Sequence, residues 1–388
     1  MTSGQRPGMM LGMRGRRITS QGKVAGCSTA GALVMADPAS LLLAPEEVAD
    51  PVLRILLDRA RSGSRPFERS DPHQVCLAIE GGGMRGAVSA GMGVVLEAAG
   101  LVPAVDRIYG VSAGALNGWA IAAGQAALGV THYGDAVSYG VINRMRPLVR
   151  RPVIDFDLLF EELIASRKPL SFDRLRGGPE FRALATSLDH YSLRVLADFS
   201  DSDELRQAVR ASAAMPRLGG APPKFRGEPM ADGALIEPIP FQTAIAEGAT
   251  HVVVLRSRPA AYRKPALSEL GQLFALRDDP RLVEVLKARA GVYNRQAGEL
   301  EQGRAGREQG AHVLQIAVPD HVRLIGRLES NGERVTEAVR SGAQAMASVI
   351  LREQIDLCWQ PVICRTTPRP AYGPSLDRDG AVSTEISA

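Results

Sequence analysis

The chain has 388 residues, of which 45% are hydrophobic and 23% charged, with 40 glycines and 25 prolines. That profile excludes a collagen-like, coiled-coil or wholly disordered chain, and at ~150 residues per domain it suggests two or three domains. Lys and Arg number 46 against 42 Asp and Glu, a net +4 spread along the chain, so no dedicated basic face and no nucleic-acid partner are expected.

Residues 1–72 read as an N-terminal extension, partly disordered, rich in Gly, Arg, Ser and Pro. Its first 25 residues carry Arg6, Arg14, Arg16, Arg17 and Lys23 and no acid. Val24-Ala-Gly-Cys27 has the form of a lipoprotein cleavage box, but polar, Arg-rich residues precede it where an apolar stretch is required, so no signal peptide is read. Ala25 to Ala44 is interrupted by Asp37 and Pro38, and falls short of the roughly 18 uncharged residues of a membrane span. A cytoplasmic location is expected, with peripheral contact at a membrane surface as an option for this basic segment and for Asn143–Pro152. Four scattered cysteines, Cys27, Cys76, Cys358 and Cys364, form neither a CxxC pair nor a disulfide framework. One helix is expected here, Pro45 to Arg61, with Leu53, Leu56 and Leu57 at helical spacing.

At Gln74 the character changes. Val75–Ile79 is a short apolar run that ends in Glu80 and three glycines, the pattern of a buried strand entering a tight turn, and Ala87 to Ala99 follows as a helix. A second unit repeats the order, with a strand at Arg107–Val111 and a helix at Ala113–Leu128. Further strands are expected at Ala183–Leu188, Met230–Ala231, His251–Arg256 and Val313–Val318, and helices at Asp203–Ala214, Pro240–Glu247, Pro280–Glu301 and Glu333–Gln354. Strands alternating with helices predict an α/β fold, a three-layer α/β/α arrangement with a mainly parallel central sheet. One catalytic domain is expected over 73–360, and 361–388 as a disordered tail. Between the second helix and Ala183, Tyr133–Gly178 reads either as a cap over a crevice or as a surface helix. Its Phe156, Leu159, Phe160 and Leu163 share one helical face.

Three motifs carry chemistry. Gly81-Gly82-Gly83-Met84-Arg85-Gly86 fits GxGxxG between a strand and a helix, a turn whose backbone N–H groups suit a pyrophosphate or an oxyanion. A dinucleotide site needs an acid about 20 residues on, at the carboxyl end of the next strand. Asp106 has the count but precedes its strand. Gly110-Val111-Ser112-Ala113-Gly114 is a GxSxG between a strand and a helix, the context of a nucleophile elbow. A bare glycine turn and a small residue packed under it are the structural alternatives. Asp232, on the turn Asp232-Gly233-Ala234 after a short strand, is the best-placed proton acceptor, because a dry crevice would raise its pKa. Of the six histidines, only the loop residue His321 competes as a base; His73, His132, His190, His251 and His312 read as surface or strand-edge residues.

Taken together these residues resemble the patatin-like phospholipases, over about residues 73 to 355: Glu80-Gly-Gly-Gly-Met-Arg-Gly86 as an oxyanion loop, Gly110–Gly114 as an elbow and Asp232-Gly-Ala234 as a DGA motif. Ala211-Ser-Ala-Ala-Met-Pro216, Phe225-Arg-Gly227 and Glu237-Pro-Ile-Pro240 are weaker echoes. The resemblance implies hydrolysis of a lipid acyl ester by a Ser112–Asp232 dyad. Amides around Gly82, Gly83 and Met84 would hold the oxyanion, Arg85 would orient the loop or add positive charge, and neither metal nor cofactor is needed. A nucleotide-binding oxidoreductase and a catalytically silent lipid-binding module are the alternatives.

Overall fold

The computed structural model describes residues 26–27, 33–34, 38–266 and 279–352. The basic cluster of residues 6–23, the box ending at Cys27 apart from the backbone of 26–27, Cys358, Cys364 and the expected tail at 361–388 lie outside the described residues.

Eight strands form the central sheet: β1 (Val75–Ile79), β2 (Arg107–Val111), β3 (Glu180–Ser187), β4 (Leu193–Leu196), β5 (Lys224–Phe225), β6 (Glu228–Asp232), β7 (His251–Leu255) and β8 (His312–Ile316). Their order is β8-β7-β1-β2-β3-β6-β5, with β4 also paired to β3. Strands β8, β7, β1, β2 and β3 are parallel, whereas β4 and β6 run antiparallel to β3 and β5 antiparallel to β6. The chain builds outward from β1 through β2 to β3, then returns to add β7 on the other side of β1. The sheet therefore has its topological switch point at β1, where ligand crevices form beyond the strands' carboxyl ends.

Period-two alternation divides the core into two. Val75, Leu77 and Ile79 of β1 join Ile108 and Val253 in one apolar cluster, while Cys76 and Ala78 join Tyr109, Val252 and Val254 in the other. The first cluster takes in α1 (Pro51–Ser62), α2 (Gly86–Ala98), α3 (Ala113–Ala122), α4 (Ala126–Ser138), α6 (Ser202–Ala213) and α9 (Gly332–Ile350). It also contains Phe160, Leu163 and Ile164 of α5 (Leu158–Arg167), which is wound as a π-helix. The second cluster is covered by α7 (Phe241–Ala246) and α8 (Pro280–Glu301). Helices lie on both faces of a mixed, mainly parallel sheet, as expected.

Two elements differ from expectation. The helix expected over 113–128 is two helices, because Gly124 takes a left-handed conformation (φ 59°) that ends α3. Helix α1 starts at Pro51, since Asp50 caps it by accepting from the Val52 and Leu53 amides at 2.9 and 3.0 Å. This helix packs Val52, Leu53, Leu56 and Leu57 into the first core. Its buried Arg59 bonds Asp71 (2.7 Å), Asp106 (2.8 Å) and the carbonyls of His73 and Ala104. Asp106 also accepts from Arg69 and from the Val75 amide, so it serves at the amino end of the sheet, away from the glycine loop.

The helix pair α2–α9 crosses at two glycines. A Cβ on Gly91 would stand 2.0 Å from the Val339 carbonyl oxygen, and one on Gly342 1.9 Å from that of Val88. Both obstacles are backbone and cannot rotate away. Gly342→Ala is expected to destabilise the fold by about 2 kcal/mol in urea unfolding, despite the ~1 kcal/mol gain in helix propensity.

Candidate active site

Ser112 occupies the turn from β2 into α3 with φ 58° and ψ −128°, a strained conformation for a residue with a side chain. The turn is tight enough to demand its glycines: a Cβ on Gly110 would lie 2.4 Å from the Gly114 carbonyl oxygen, and one on Gly114 2.3 Å from that of Ile79. What holds the strain is a relay from the neighbouring strand. The Ser112 amide donates to the Ser212 hydroxyl at 2.9 Å, and that hydroxyl donates to the Leu184 carbonyl at 2.6 Å. Ser212 belongs to the Ala211–Pro216 segment noted in the sequence, but its hydroxyl's role needed the fold.

Asp232 ends β6, opposite Ala185 of β3. Its amide donates to the Ala214 carbonyl at 3.0 Å, its carbonyl accepts from the Thr186 hydroxyl at 2.9 Å, and its carboxylate accepts from the Ala234 amide at 2.8 Å. Only 3% of the residue is exposed. Burial raises its pKa, and the charge of Arg289, the Ala234 amide and the Ser112 hydroxyl pull it partly back. Serine and aspartate, 120 positions apart in the chain, thus meet because β2 and β6 both flank β3.

The glycine loop is fixed by its preceding acid. Glu80 is wholly buried and accepts from Arg256 Nε (3.0 Å), the Ser257 amide (2.8 Å) and Arg258 Nη1. Burial alone would raise its pKa, but the two guanidinium charges and the amide outweigh burial and hold it below the usual carboxylate range. Ser257 also donates its hydroxyl to the Gly81 carbonyl at 3.1 Å. Four of the six loop amides are spent inside the protein: Gly81 donates to Pro238, Met84 to Arg327, Arg85 to Gly82, and Gly86 to Gly83 and Met84. Among the described residues the amides of Gly82 and Gly83 have no protein acceptor, whereas that of Met84, also expected to face an oxyanion, is engaged by the Arg327 carbonyl.

Ser112, Asp232 and this loop line one crevice with about 1050 Å³ of empty space, counted to its open mouth. One wall is apolar, with Leu116, Val141, Ile154, Phe156, Leu159 and Phe160. Of the four residues expected on one helical face, Leu163 instead packs in the core. The crevice is also lined by Arg85, Arg258, Lys264, Arg289 and Arg327. His132 also lines the crevice, buried, with Nε2 2.9 Å from the Lys168 carbonyl, which corrects its reading as a surface residue. His321 is exposed and is not among the lining residues. Among the described residues no group of three or more His, Cys, Asp or Glu is arranged to hold a metal.

Against this geometry, residues 77–245 match the family model described as patatin-like phospholipase. The chain carries a patatin-like phospholipase domain. Its described helices include none long and apolar enough to cross a membrane. A relative, the uncharacterized protein YjjU of Escherichia coli K12, is 29% identical over 203 residues; the match spans 50% of this chain and 54% of YjjU's length. Among solved structures the chain is similar to VipD from Legionella pneumophila (12% identity, TM-score 0.36, 72% of this chain and 67% of that one). It is also similar to human GIVD cytosolic phospholipase A2 in complex with methyl gamma-linolenyl fluorophosphonate (11% identity, TM-score 0.38, 76% and 60%).

The residues that sequence reasoning missed in the patatin-like domain and its flanks are Ser212, Arg256, Ser257, Arg258, Lys264, Arg289 and Arg327. Arg-Ser-Arg directly after a strand was a usable signal for the Glu80 clamp. Arg289, mid-helix, carried none. Glu80→Gln leaves two buried guanidinium groups without a counter-charge, with an expected loss of about 3–5 kcal/mol in urea unfolding at pH 7. Because the folded-state pKa of Glu80 is depressed, its contribution is complete above the unfolded value of ~4.3 and is lost as pH falls through the folded one. The gap between the wild type and Glu80→Gln should therefore narrow on acidification below about pH 4.

Proposed function

We propose that the protein is a serine-dependent lipid acyl hydrolase in which Ser112 is the nucleophile and Asp232 its general base. The observation that carries this reading is the pairing of a strained serine turn that lines the crevice with a buried carboxylate whose pKa is raised. Ser112 Oγ attacks the ester carbonyl carbon as Asp232 takes its proton. The oxyanion accepts from the Gly82 and Gly83 amides, which are already fixed by the Glu80 clamp and need no reorganisation. Collapse expels the alcohol, protonated by Asp232, and leaves an acyl-serine. Water then attacks the acyl carbon, Asp232 takes a proton from it, and the acid departs as Ser112 regains its hydrogen. Arg85, half-buried within the loop and with its pKa lowered to about 10 by desolvation and by Arg258 and Arg327, contributes positive charge near the donors. The catalytic unit, expected over 73–360, is taken to include α1, which packs in the same core.

The dinucleotide reading has nothing to favour it, since Asp106 is committed to Arg59 and Arg69. A silent lipid-binding module would keep the fold but not react. Labelling of the folded protein by a fluorophosphonate probe at Ser112 separates the two, and absence of an adduct would sink the hydrolase reading. Asp232→Asn is expected to fold normally and to lose about 10²–10⁴-fold in kcat on a p-nitrophenyl acyl ester. In the wild type the acidic limb of kcat/KM should lie above the ordinary carboxylate pKa of ~3.9, because the base must lose a proton that burial holds on.

The crevice is proposed to meet its lipid at a membrane surface through the loop Asn143–Arg151, which exposes Met145 (65%), Leu148 (76%) and Val149 (67%) beside Arg144, Arg150 and Arg151. The loop's flanks, Ile142 and Ile154, line the crevice itself. Flotation with phosphatidylglycerol vesicles should retain the wild type and release a Leu148→Glu/Val149→Glu variant; equal flotation of both would remove this loop from the reading.

A further inference from the structure

We propose that the crevice contains an anion subsite, formed by Arg85, Lys264, Arg289 and Arg327, that selects acyl lipids whose head group carries a net negative phosphate. This deepens the hydrolase reading by naming its substrate class. The four cations come from four separate parts of the chain: the loop after β1, the stretch after β7, helix α8, and the segment between β8 and α9. All four line the crevice that holds Ser112 and Asp232.

None of the four forms an ion pair among the described residues. Arg289 gives its Nε to the Ala234 carbonyl at 2.7 Å, Lys264 Nζ stands 5.1 Å from the Tyr293 ring centroid, and Arg85 Nε is buried with no partner. The neighbouring carboxylates do not meet this demand. Glu80 is already saturated by Arg256, Ser257 and Arg258. Asp232 faces Ser112 and is reached by Arg289 and Arg327 through charge alone. Gathering unpaired cations in a partly desolvated crevice is costly, and the cost shows: desolvation first, then Arg289, Arg258 and Arg327, lowers Lys264 to about 6. Arg289 falls to about 10 for the same first reason. A bound phosphate would supply the missing charge and favour a protonated Lys264.

Placement selects an amphiphile. An apolar wall of Leu116, Val141, Phe156 and Phe160 lines the same crevice as the cations and Ser112. A lipid would lay its acyl chain on that wall, present its ester to Ser112 and direct its head group to the cations. A zwitterionic head group would bring an ammonium into a region whose nearby carboxylates are both engaged, so a net-anionic lipid is preferred.

The test uses the full chain with Ser112→Ala, so that binding is read without turnover. Calorimetric titration with decyl phosphate, with decyl maltoside and with inorganic phosphate, each below any micelle concentration, reports the head-group preference. Decyl phosphate is expected to bind at least tenfold more tightly than either of the others. Lys264→Met and Arg327→Gln, made singly and then together on the Ser112→Ala background, should reduce that preference by tenfold or more. Equal binding of the phosphate and the maltoside, or a preference unchanged in the double variant, would overturn the subsite. Inorganic phosphate binding as tightly as decyl phosphate would overturn the lipid head group as its occupant. A retained preference with no fluorophosphonate adduct on the wild type would support the subsite while sinking the hydrolase reading alone.

Discussion

A single buried carboxylate organises the carboxyl edge of this sheet. Glu80 lies at the switch point, where the chain leaves β1 with β2 on one side and β7 on the other, and its two oxygens are bonded by groups that follow β7. An unpaired charge at that depth would be untenable, so the ion cluster forces the glycine loop and the segment after β7 into one rigid unit. The free amides of Gly82 and Gly83 inherit their direction from it. The same segment continues to Lys264, so the clamp also sets one cation of the crevice.

The second constraint is local strain at Ser112, which the surroundings over-determine. Close contacts at Gly110 and Gly114 leave the turn no wider path, and Ser212 fastens its amide to β3. Strand β3 is therefore the common reference for both halves of the proposed dyad: it anchors Ser112 through Leu184 and Asp232 through Thr186.

Desolvation then acts in opposite senses on the two kinds of ionisable group in the crevice. It raises Asp232, making a carboxylate a better proton acceptor, and it lowers Lys264, Arg289 and Arg85, making the cations hungry for a counter-charge. One physical cause thus acts on the proposed base at one point and on the proposed anion subsite at another. The same crevice is lined by apolar residues of α3, α4, α5 and the segments flanking the 143–151 loop, which offer a surface for a hydrocarbon chain.

What the sequence determined by itself is what local pattern encodes. The apolar run of β1 ending in Glu80 and three glycines, the serine between two glycines at a strand-to-helix junction, and Asp232-Gly233 at a strand end are each legible because turn geometry restricts which residues fit there. The alternation of strands and helices likewise indicated helices on both faces of a mainly parallel sheet. Only the tertiary structure decided which loop amides are free, that Ser212 braces the elbow, that His132 lies inside the crevice, and that the short strands β4 and β5 extend the sheet. It also decided that Arg85, Lys264, Arg289 and Arg327 share one space. Those outcomes depend on partners up to 242 positions apart along the chain, from Arg85 to Arg327, and on burial. Neither is written in the spacing of neighbouring residues, since an arginine in a loop and one in mid-helix look alike until the fold removes their water and brings them together.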